Sequence, residues 1–212
     1  MRKFLKRMTG IFLCVAMAAG VYGAIPAYAE GTDTGTDIQA QAAQWPTGPA
    51  VQAASAIIMD ASTGTVLYEK DADTPRYPAS ITKIMTTLLA LENCNLDEMV
   101  HFSATAVYEN EGGTSHIARD LDEEMTLEQC LYAIMLESAN ECSYAVAEHV
   151  GGGDYQKFID MMNAKAAELG CTNTHFNNCN GLPDPNHVVS ARDMALISRE
   201  AIKNSMFRKK QY

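Results

Sequence analysis

The amino-acid sequence predicts an α/β fold of the α+β type, in which a short β-hairpin precedes a series of helices. Two apolar runs, at residues 54–60 and 66–69, flank a turn-forming segment at 60–64, and this pattern is typical of a hairpin. Apolar residues then recur at helical spacing in several later segments, which Gly-, Pro- and Asn-rich stretches separate.

Residues 1–29 are typical of a secretory signal peptide. An apolar run at 11–21 leads to Ala27-Tyr28-Ala29, which has the small-residue pattern of a cleavage site. The alternative is a membrane-spanning helix, but the run is shorter than the ~20 residues that a span needs. We therefore expect export, followed by a flexible linker at 30–49. The segment before the apolar run is positively charged, as in signal peptides, and its basic residues are Arg2, Lys3, Lys6 and Arg7.

The charge and the cysteines exclude some functions. The formal net charge is -10, and loss of residues 1–29 would remove basic residues only, so nothing supports a nucleic-acid partner. Five of the six cysteines lie after residue 29, and no Cys-x-x-Cys pair indicates a structural zinc site. Export would permit disulfides, but free thiols are an equal alternative. We expect no cofactor and no metal, since four histidines lack His-x-x-x-His spacing: His116, His149, His175 and His187.

The first predicted helix begins near Ser80 and continues to Leu91 or Asn93, because apolar residues recur there at helical spacing. A short strand is predicted at 100–102, and Ser103 could cap a brief helix that ends at Tyr108. We expect a loop at 109–115 and a solvated acidic segment at 120–125.

Thr126 and Gln129 have the spacing of a capping box, and they begin a helix that a polar patch at 137–141 interrupts. The helical pattern resumes to Val150, and Asp154 can cap the next helix, which stops at Gly170. A long loop at 171–189 follows, and long loops are often functional. Ser190-Ala191-Arg192-Asp193 resembles a capping box that opens the last predicted helix.

Ser80 and Lys83 are three residues apart at a predicted helix start, so their side chains share one face. Ser80 could simply cap the helix, but a capping box has Glu or Gln three residues later, whereas this chain has a cation. A lysine at a helix N-terminus and between Ile81 and Ile84 should be biased toward its neutral form. A neutral amine could then accept the proton of the hydroxyl and activate it as a nucleophile.

The polar patch contains a second candidate pair, Ser138 and Asn140. It could be only a loop between helices. A Ser and an Asn two residues apart can also direct both side chains into one cleft, where the Ser relays a proton and the Asn holds a substrate carbonyl. Asn178 and Asn180 could line the same cleft or could only cap their own loop.

Together, Ser80-x-x-Lys83 and Ser138-x-Asn140 are two of the three sequence elements of penicillin-binding proteins and β-lactamases. Residues 50–205 resemble the D-alanyl-D-alanine carboxypeptidases of the low-molecular-weight penicillin-binding type, serine peptidase family S11. The resemblance also rests on Asp60-Ala61-Ser62-Thr63-Gly64, Ala147-Glu148-His149, Asn180-Gly181-Leu182 and Ser190 to Ala195.

The resemblance implies a β-lactamase/transpeptidase-like fold, with a helical cluster packed on an antiparallel sheet. It implies that Ser80 is the acylated nucleophile, Lys83 its general base, Ser138 a proton shuttle and Asn140 a substrate-orienting residue. The Ser80 N–H would form part of the oxyanion hole. The implied partners are peptidoglycan stem peptides ending in D-Ala-D-Ala, with β-lactams as acylating inhibitors. The implied location is outside the cytoplasm, at the cell wall or membrane, with a C-terminal anchor making any membrane contact.

The sequence also departs from the family pattern. No Lys-Thr-Gly follows Asn140, and Ala139 stands where the family commonly has Gly. We therefore expect residues 50–212 to be a catalytic domain truncated at its C-terminus, with an incomplete sheet and low turnover when tested alone. Four apolar residues of the hairpin should then be partly uncovered: Ile57, Ile58, Val66 and Leu67.

Two other functions remain as alternatives. A class A-like β-lactamase shares both motifs, but the Glu-x-x-Leu-Asn loop that places its deacylating water is missing. A truncated, non-catalytic module that binds wall peptides is the other alternative, and β-lactam labelling separates it from an enzyme.

Overall fold

The computed structural model describes residues 48–109 and 113–209. The predicted signal peptide, nearly all of the predicted linker and residues 110–112 of the predicted loop lie outside these residues. Within the described part of the chain, no helix is long and apolar enough to cross a membrane.

The predicted hairpin is confirmed. Strands β1 (Ala56–Met59) and β2 (Val66–Lys70) pair antiparallel, with Ile57 opposite Glu69. The Asp60 carboxylate closes the turn by accepting the backbone N–H groups of Ser62 and Thr63, at 3.0 and 2.7 Å.

The apolar residues of this hairpin are incompletely covered, as expected. Ile58 is 49% exposed and Leu67 is 68% exposed, while Ile57 and Val66 are half-buried.

The first six described helices follow the predicted order, with a 3-10 turn at Ala79–Thr82 before the first of them, and the seventh was not predicted. They are α1 (Lys83–Asn93), α2 (Ala104–Tyr108), α3 (Leu127–Leu136), α4 (Asn140–Gly151), α5 (Tyr155–Glu168), α6 (Ala191–Ala201) and α7 (Ser205–Lys209). The side chains predicted to cap α2 and α5 do so: Ser103 accepts the N–H of Ala106, and Asp154 accepts that of Lys157.

A second strand pair corrects the prediction for the acidic segment. Strand β3 (Met99–His101) pairs antiparallel with β4 (Glu124–Thr126). The segment 120–125 is therefore not simply a solvated loop, because its last two residues belong to a strand. Glu124 remains exposed within this strand, while the opposite residues Val100 and Met125 turn toward the core.

The two predicted capping boxes differ in outcome. Thr126 and Gln129 make both reciprocal bonds at the start of α3. The Ser190 side chain accepts the N–H of Asp193, but the Asp193 carboxylate does not accept the backbone N–H of Ser190 in return. It instead accepts the N–H of Asn173 and the hydroxyl of Thr174, at 2.7 and 2.8 Å. Asp193 thus ties the long loop to α6.

Helices α1 and α4 contribute to two apolar clusters. Leu88 of α1 and Ala147 of α4 pack with residues of α5, α6 and α7. Ala90 of α1 and Val146 of α4 pack with α3 and β3. Because α1 is held by both clusters, the position of its first residue, Lys83, is fixed by the core.

Candidate active site

Ser80 and Lys83 meet at the start of α1. Ser80 lies in the 3-10 turn, where side chains three residues apart eclipse each other, and this geometry aligns it with Lys83. The Lys83 Nζ lies 3.3 Å from the Ser80 Oγ. Ser80 is exposed, whereas Lys83 is only 2% exposed. The arrangement therefore presents a hydroxyl to solvent and a buried amine behind it.

Three more oxygen atoms surround the Lys83 amine. It lies 3.1 Å from the Ser138 Oγ, 2.7 Å from the Asn140 Oδ1 and 2.9 Å from the carbonyl oxygen of Asn180. The Asn140 and Asn180 oxygens can only accept, so each takes one N–H of Lys83. A neutral amine has two N–H groups and one lone pair. The lone pair is then left for the hydroxyls of Ser80 and Ser138.

The environment shifts Lys83 toward this neutral form. Burial lowers the pKa of Lys83 to about 8, while the nearby Cys179 thiol and Glu141 carboxylate act in the opposite direction. Desolvation penalises the ammonium because it removes water from the charge. Burial therefore acts in the direction expected from the sequence, toward the neutral form of this lysine.

A tight turn between α3 and α4 places Ser138 and Asn140. Ser138 has a left-handed backbone with φ of 56°, at the position where a helix end often has Gly. The Ala139 N–H closes the turn on the Ala133 carbonyl, at 3.2 Å. The polar patch is thus both a loop between helices and a part of the site.

The loop at 177–182 supplies the Asn180 carbonyl. The Asn178 side chain accepts the N–H of Gly181 at 2.7 Å and donates to the Leu182 carbonyl at 3.0 Å. The Thr86 hydroxyl of α1 donates to the Cys179 carbonyl at 2.6 Å. Of the two alternatives left open, the side chains of both asparagines cap their own loop, since the Asn180 Oδ1 accepts the N–H of Leu182 at 3.0 Å, and Asn180 in addition reaches Lys83. The Asn180 contact is made by the main chain, which side-chain motifs do not indicate.

Gly181 packs against the backbone that precedes the nucleophile. A Cβ at Gly181 would lie 1.8 Å from the Ala79 carbonyl oxygen and 3.0 Å from the Ser80 nitrogen. Its φ of 89° also favours glycine. Only glycine allows this loop to approach the turn that holds Ser80.

His187 joins the same loop to the 3-10 turn. The sequence analysis considered this histidine only as a possible metal ligand and did not predict its place beside the site. Its Nδ1 accepts the N–H groups of Asn177 and Asn178, at 3.0 and 3.3 Å. Thr82 donates its hydroxyl hydrogen to Ala79, so its oxygen accepts from His187 Nε2, at 2.8 Å. His187 is therefore neutral with its hydrogen on Nε2, and burial lowers its pKa to about 4.

Solved structures share this fold. The chain matches that of the D-alanyl-D-alanine carboxypeptidase DacD from Francisella tularensis at 34% identity with a TM-score of 0.71, covering 78% of this chain and 40% of that one. It matches the Streptomyces K15 DD-transpeptidase at 34% identity with a TM-score of 0.71, covering 77% and 66% of the two chains. The transpeptidase-like fold implied by the motifs is confirmed.

Residues 39–212 match the family model for D-alanyl-D-alanine carboxypeptidases, peptidase family S11. A curated relative, the D-alanyl-D-alanine carboxypeptidase DacF of Bacillus subtilis, is 38% identical over 154 residues, which is 72% of this chain and 39% of the relative. The D-alanyl-D-alanine carboxypeptidase of Streptomyces sp. strain K15 is 35% identical over 91% of this chain and 63% of its own length. The protein belongs to this carboxypeptidase family.

The chain spans less than two thirds of the length of these curated relatives. The relatives are named as carboxypeptidases and do not favour the β-lactamase alternative.

Proposed function

We propose that the protein is a serine-type D-Ala-D-Ala carboxypeptidase, a hydrolase that removes the terminal D-alanine from peptidoglycan stem peptides. The observation that carries this proposal is the contact of a buried Lys83 amine with both the Ser80 and Ser138 hydroxyls, at 3.3 and 3.1 Å. Family membership supports the same reaction and the D-Ala-D-Ala end of the substrate.

In the acylation step, the Ser80 Oγ attacks the carbonyl carbon of the penultimate D-alanine. Its proton passes to the Lys83 lone pair, and the Ser80 N–H stabilises the developing oxyanion. The peptide C–N bond then breaks. Lys83 returns the proton through Ser138 to the leaving amine, so that free D-alanine departs and an ester remains on Ser80.

Asn140 serves both catalyst and substrate in this proposal. Its Oδ1 fixes the Lys83 amine at 2.7 Å, and its Nδ2 is the donor that it offers to a substrate carbonyl. Water then attacks the ester carbonyl and gives a proton to Lys83. The acyl C–O bond to Ser80 breaks, Lys83 returns the proton to the Ser80 Oγ, and the shortened peptide leaves with a free carboxylate.

β-Lactams mimic the acylation step, so we propose that they label Ser80. Export through the predicted signal peptide would bring the enzyme to the cell wall, where its substrate lies. The Streptomyces K15 protein of known structure is named a DD-transpeptidase, so an amine could replace water as the acceptor. Measuring D-alanine release with and without an added amine would distinguish transfer from hydrolysis.

The labelling experiment tests the nucleophile and the base together. The purified protein is incubated with a fluorescent penicillin, and the adduct is mapped by mass spectrometry. We expect the label on Ser80 and expect Lys83→Arg to abolish labelling, because Arg stays protonated. Lys157→Arg, an exposed change in α5, is the matched control and should label normally. A label on another residue, or normal labelling of Lys83→Arg, would refute the assignment.

A further inference from the structure

A second cluster of reactive side chains lies at the opposite end of α1 from the candidate active site. The Cys94 thiol, the Glu98 carboxylate and the His149 imidazole each offer one ligand atom, and these atoms all lie within 4.8 Å of one another. Lys83 and Cys94 are eleven residues apart along α1, roughly 16 Å at helical rise. The cluster is therefore distinct from the Ser80 site.

Three separate segments bring these side chains together. Cys94 is the residue that ends α1, Glu98 lies in the following turn, and His149 is in the last turn of α4. The His149 Nε2 lies 2.8 Å from the Glu98 Oε2. The other carboxylate oxygen, Oε1, accepts the N–H and the side-chain amide of Asn95, at 2.6 and 3.0 Å. Asn95 thus orients Glu98 with Oε2 directed at the cluster.

The spacing of the three atoms suits a tetrahedral cation. Zinc bonds of about 2.0–2.3 Å place neighbouring ligand atoms about 3.4–3.6 Å apart. The three ligand atoms already lie within 4.8 Å of one another, and the His149 Nε2 and Glu98 Oε2, now 2.8 Å apart, would have to separate by roughly 0.6 Å to reach that distance. All three side chains are only half-buried, so an ion can reach them. A surface cavity of about 450 Å³ borders His149.

The donor set selects the class of metal. A thiolate with an imidazole favours borderline cations such as Zn²⁺ or Co²⁺, whereas Mg²⁺ and Ca²⁺ prefer oxygen ligands. We propose that Cys94, Glu98 and His149 form a zinc site that clamps the end of α1 to the end of α4. This proposal departs from the expectation that the histidines bind no metal, which considered only their spacing along the sequence.

Binding has an identifiable cost. Burial and the Glu98 carboxylate raise the pKa of the metal-free Cys94 thiol to about 11. The thiol must lose its proton to become a ligand, so the cation replaces that proton, which is released to solvent. The charge of the cation then offsets the negative charges of the thiolate and the carboxylate.

Cobalt provides a direct spectroscopic test. The purified chain is titrated with CoCl₂, and we expect one equivalent to produce the near-ultraviolet charge-transfer absorption of a thiolate–cobalt bond. ZnCl₂ should displace the cobalt, remove the absorption and raise the melting temperature. Cys94→Ser should lose both the absorption and the thermal shift. Glu98→Gln keeps the acceptor for Asn95 and should weaken metal affinity by at least about tenfold.

Cys171→Ser is the matched control, because Cys171 is also a half-buried free thiol but lies outside the cluster. It should retain the cobalt absorption and the zinc-dependent thermal shift, and circular dichroism would verify that every variant is folded. Absence of the absorption in the unmodified chain would overturn the zinc site, as would its persistence in Cys94→Ser. None of these readouts depends on D-alanine release, so the result is independent of the proposed enzymatic function.

Discussion

The basicity of Lys83 is set by two opposing effects. Burial disfavours its charged form, while the Cys179 thiol and the Glu141 carboxylate favour it, and burial prevails. Glu141 is itself 2% exposed and accepts the Ile117 N–H at 2.6 Å, so its position is fixed. The balance leaves an amine that can lose its proton near neutral pH, which an exposed lysine does not do.

The first prediction concerns pH. The acylation rate should rise with pH and level off above about 8, because only the neutral form of Lys83 can accept the Ser80 proton. The second-order rate of labelling by a fluorescent penicillin, measured across this range, tests the prediction. A rate that is flat through pH 8 would show that Lys83 is not the titrating base.

Glu141→Gln should shift this pH profile to lower pH. Removal of the carboxylate removes an effect that raises the pKa of Lys83, while the amide oxygen can still accept the Ile117 N–H. Glu168→Gln, an exposed change at the end of α5, should leave the profile unchanged. A shift to higher pH in Glu141→Gln would contradict the assigned role of its charge.

The spacing of residues along the sequence predicted the parts of the site where the chemistry requires a particular type of side chain. The spacing of Ser80 to Lys83 and of Ser138 to Asn140 predicted groups that the structure brings around one amine. The Asn180 carbonyl could not be predicted in this way, because every residue has a carbonyl and its direction depends on loop geometry. The cluster of Cys94, Glu98 and His149 was also missed, since packing rather than spacing unites it.

At the scale of elements, the loop at 177–182 and the 3-10 turn before α1 form one unit. Gly181→Ala should displace the Ala79 carbonyl and with it the Ser80 nitrogen, because the new Cβ would overlap the carbonyl and crowd the nitrogen. We expect acylation to slow by about 100-fold, as small misplacements of reacting groups can do. Gly153→Ala is the matched control, since Gly153 has φ of 91° but no neighbour within 4 Å.

The control separates steric overlap from backbone strain. Both variants place a side chain at a positive φ, so both should lose some stability. Only Gly181→Ala should also lose labelling of Ser80. Equal labelling of the two folded variants would mean that the close approach of Gly181 does not position the nucleophile.

The His187 bridge predicts an acid-dependent stability. In the folded protein the pKa of His187 is about 4, below its usual value of 6.5. As pH falls, the imidazole therefore binds a proton in the unfolded chain before it does so in the folded protein. Stability should therefore decrease as pH falls from about 6.5 to about 4. His187→Asn should be less stable at neutral pH, because the Thr82 contact is lost, but its melting temperature should decrease less across this window. Identical pH slopes for the two proteins would contradict the prediction.

Short elements were the hardest to predict. β4 has only three residues and its pairing partner β3 precedes it by more than twenty residues, so no local period marks it. Helix α7 has five residues, too few for an apolar repeat. The longer α3 and α5 were predicted from their caps and apolar spacing, and the cap residues were correct in both.

At the scale of the whole molecule, α1 connects the core to the site. Its flanks pack in both apolar clusters, and its first residue carries the buried amine. The hairpin β1–β2 contributes little to these clusters, and its apolar residues remain partly uncovered. The sequence predicted the hairpin itself. The packing of the two apolar clusters around α1 was not predicted, because it depends on contacts between distant segments.

The surroundings of Lys83 also determine when the site can exist during folding. Its partners Ser138, Asn140 and Asn180 lie 55, 57 and 97 residues further along the chain. Closing loops of this length costs entropy that is recovered only when most of the chain has condensed. The complete set of oxygen atoms around the Lys83 amine should therefore form late in folding and be lost on partial unfolding. Covalent labelling by a β-lactam would then count molecules that have reached the native topology, not merely those that have formed helices.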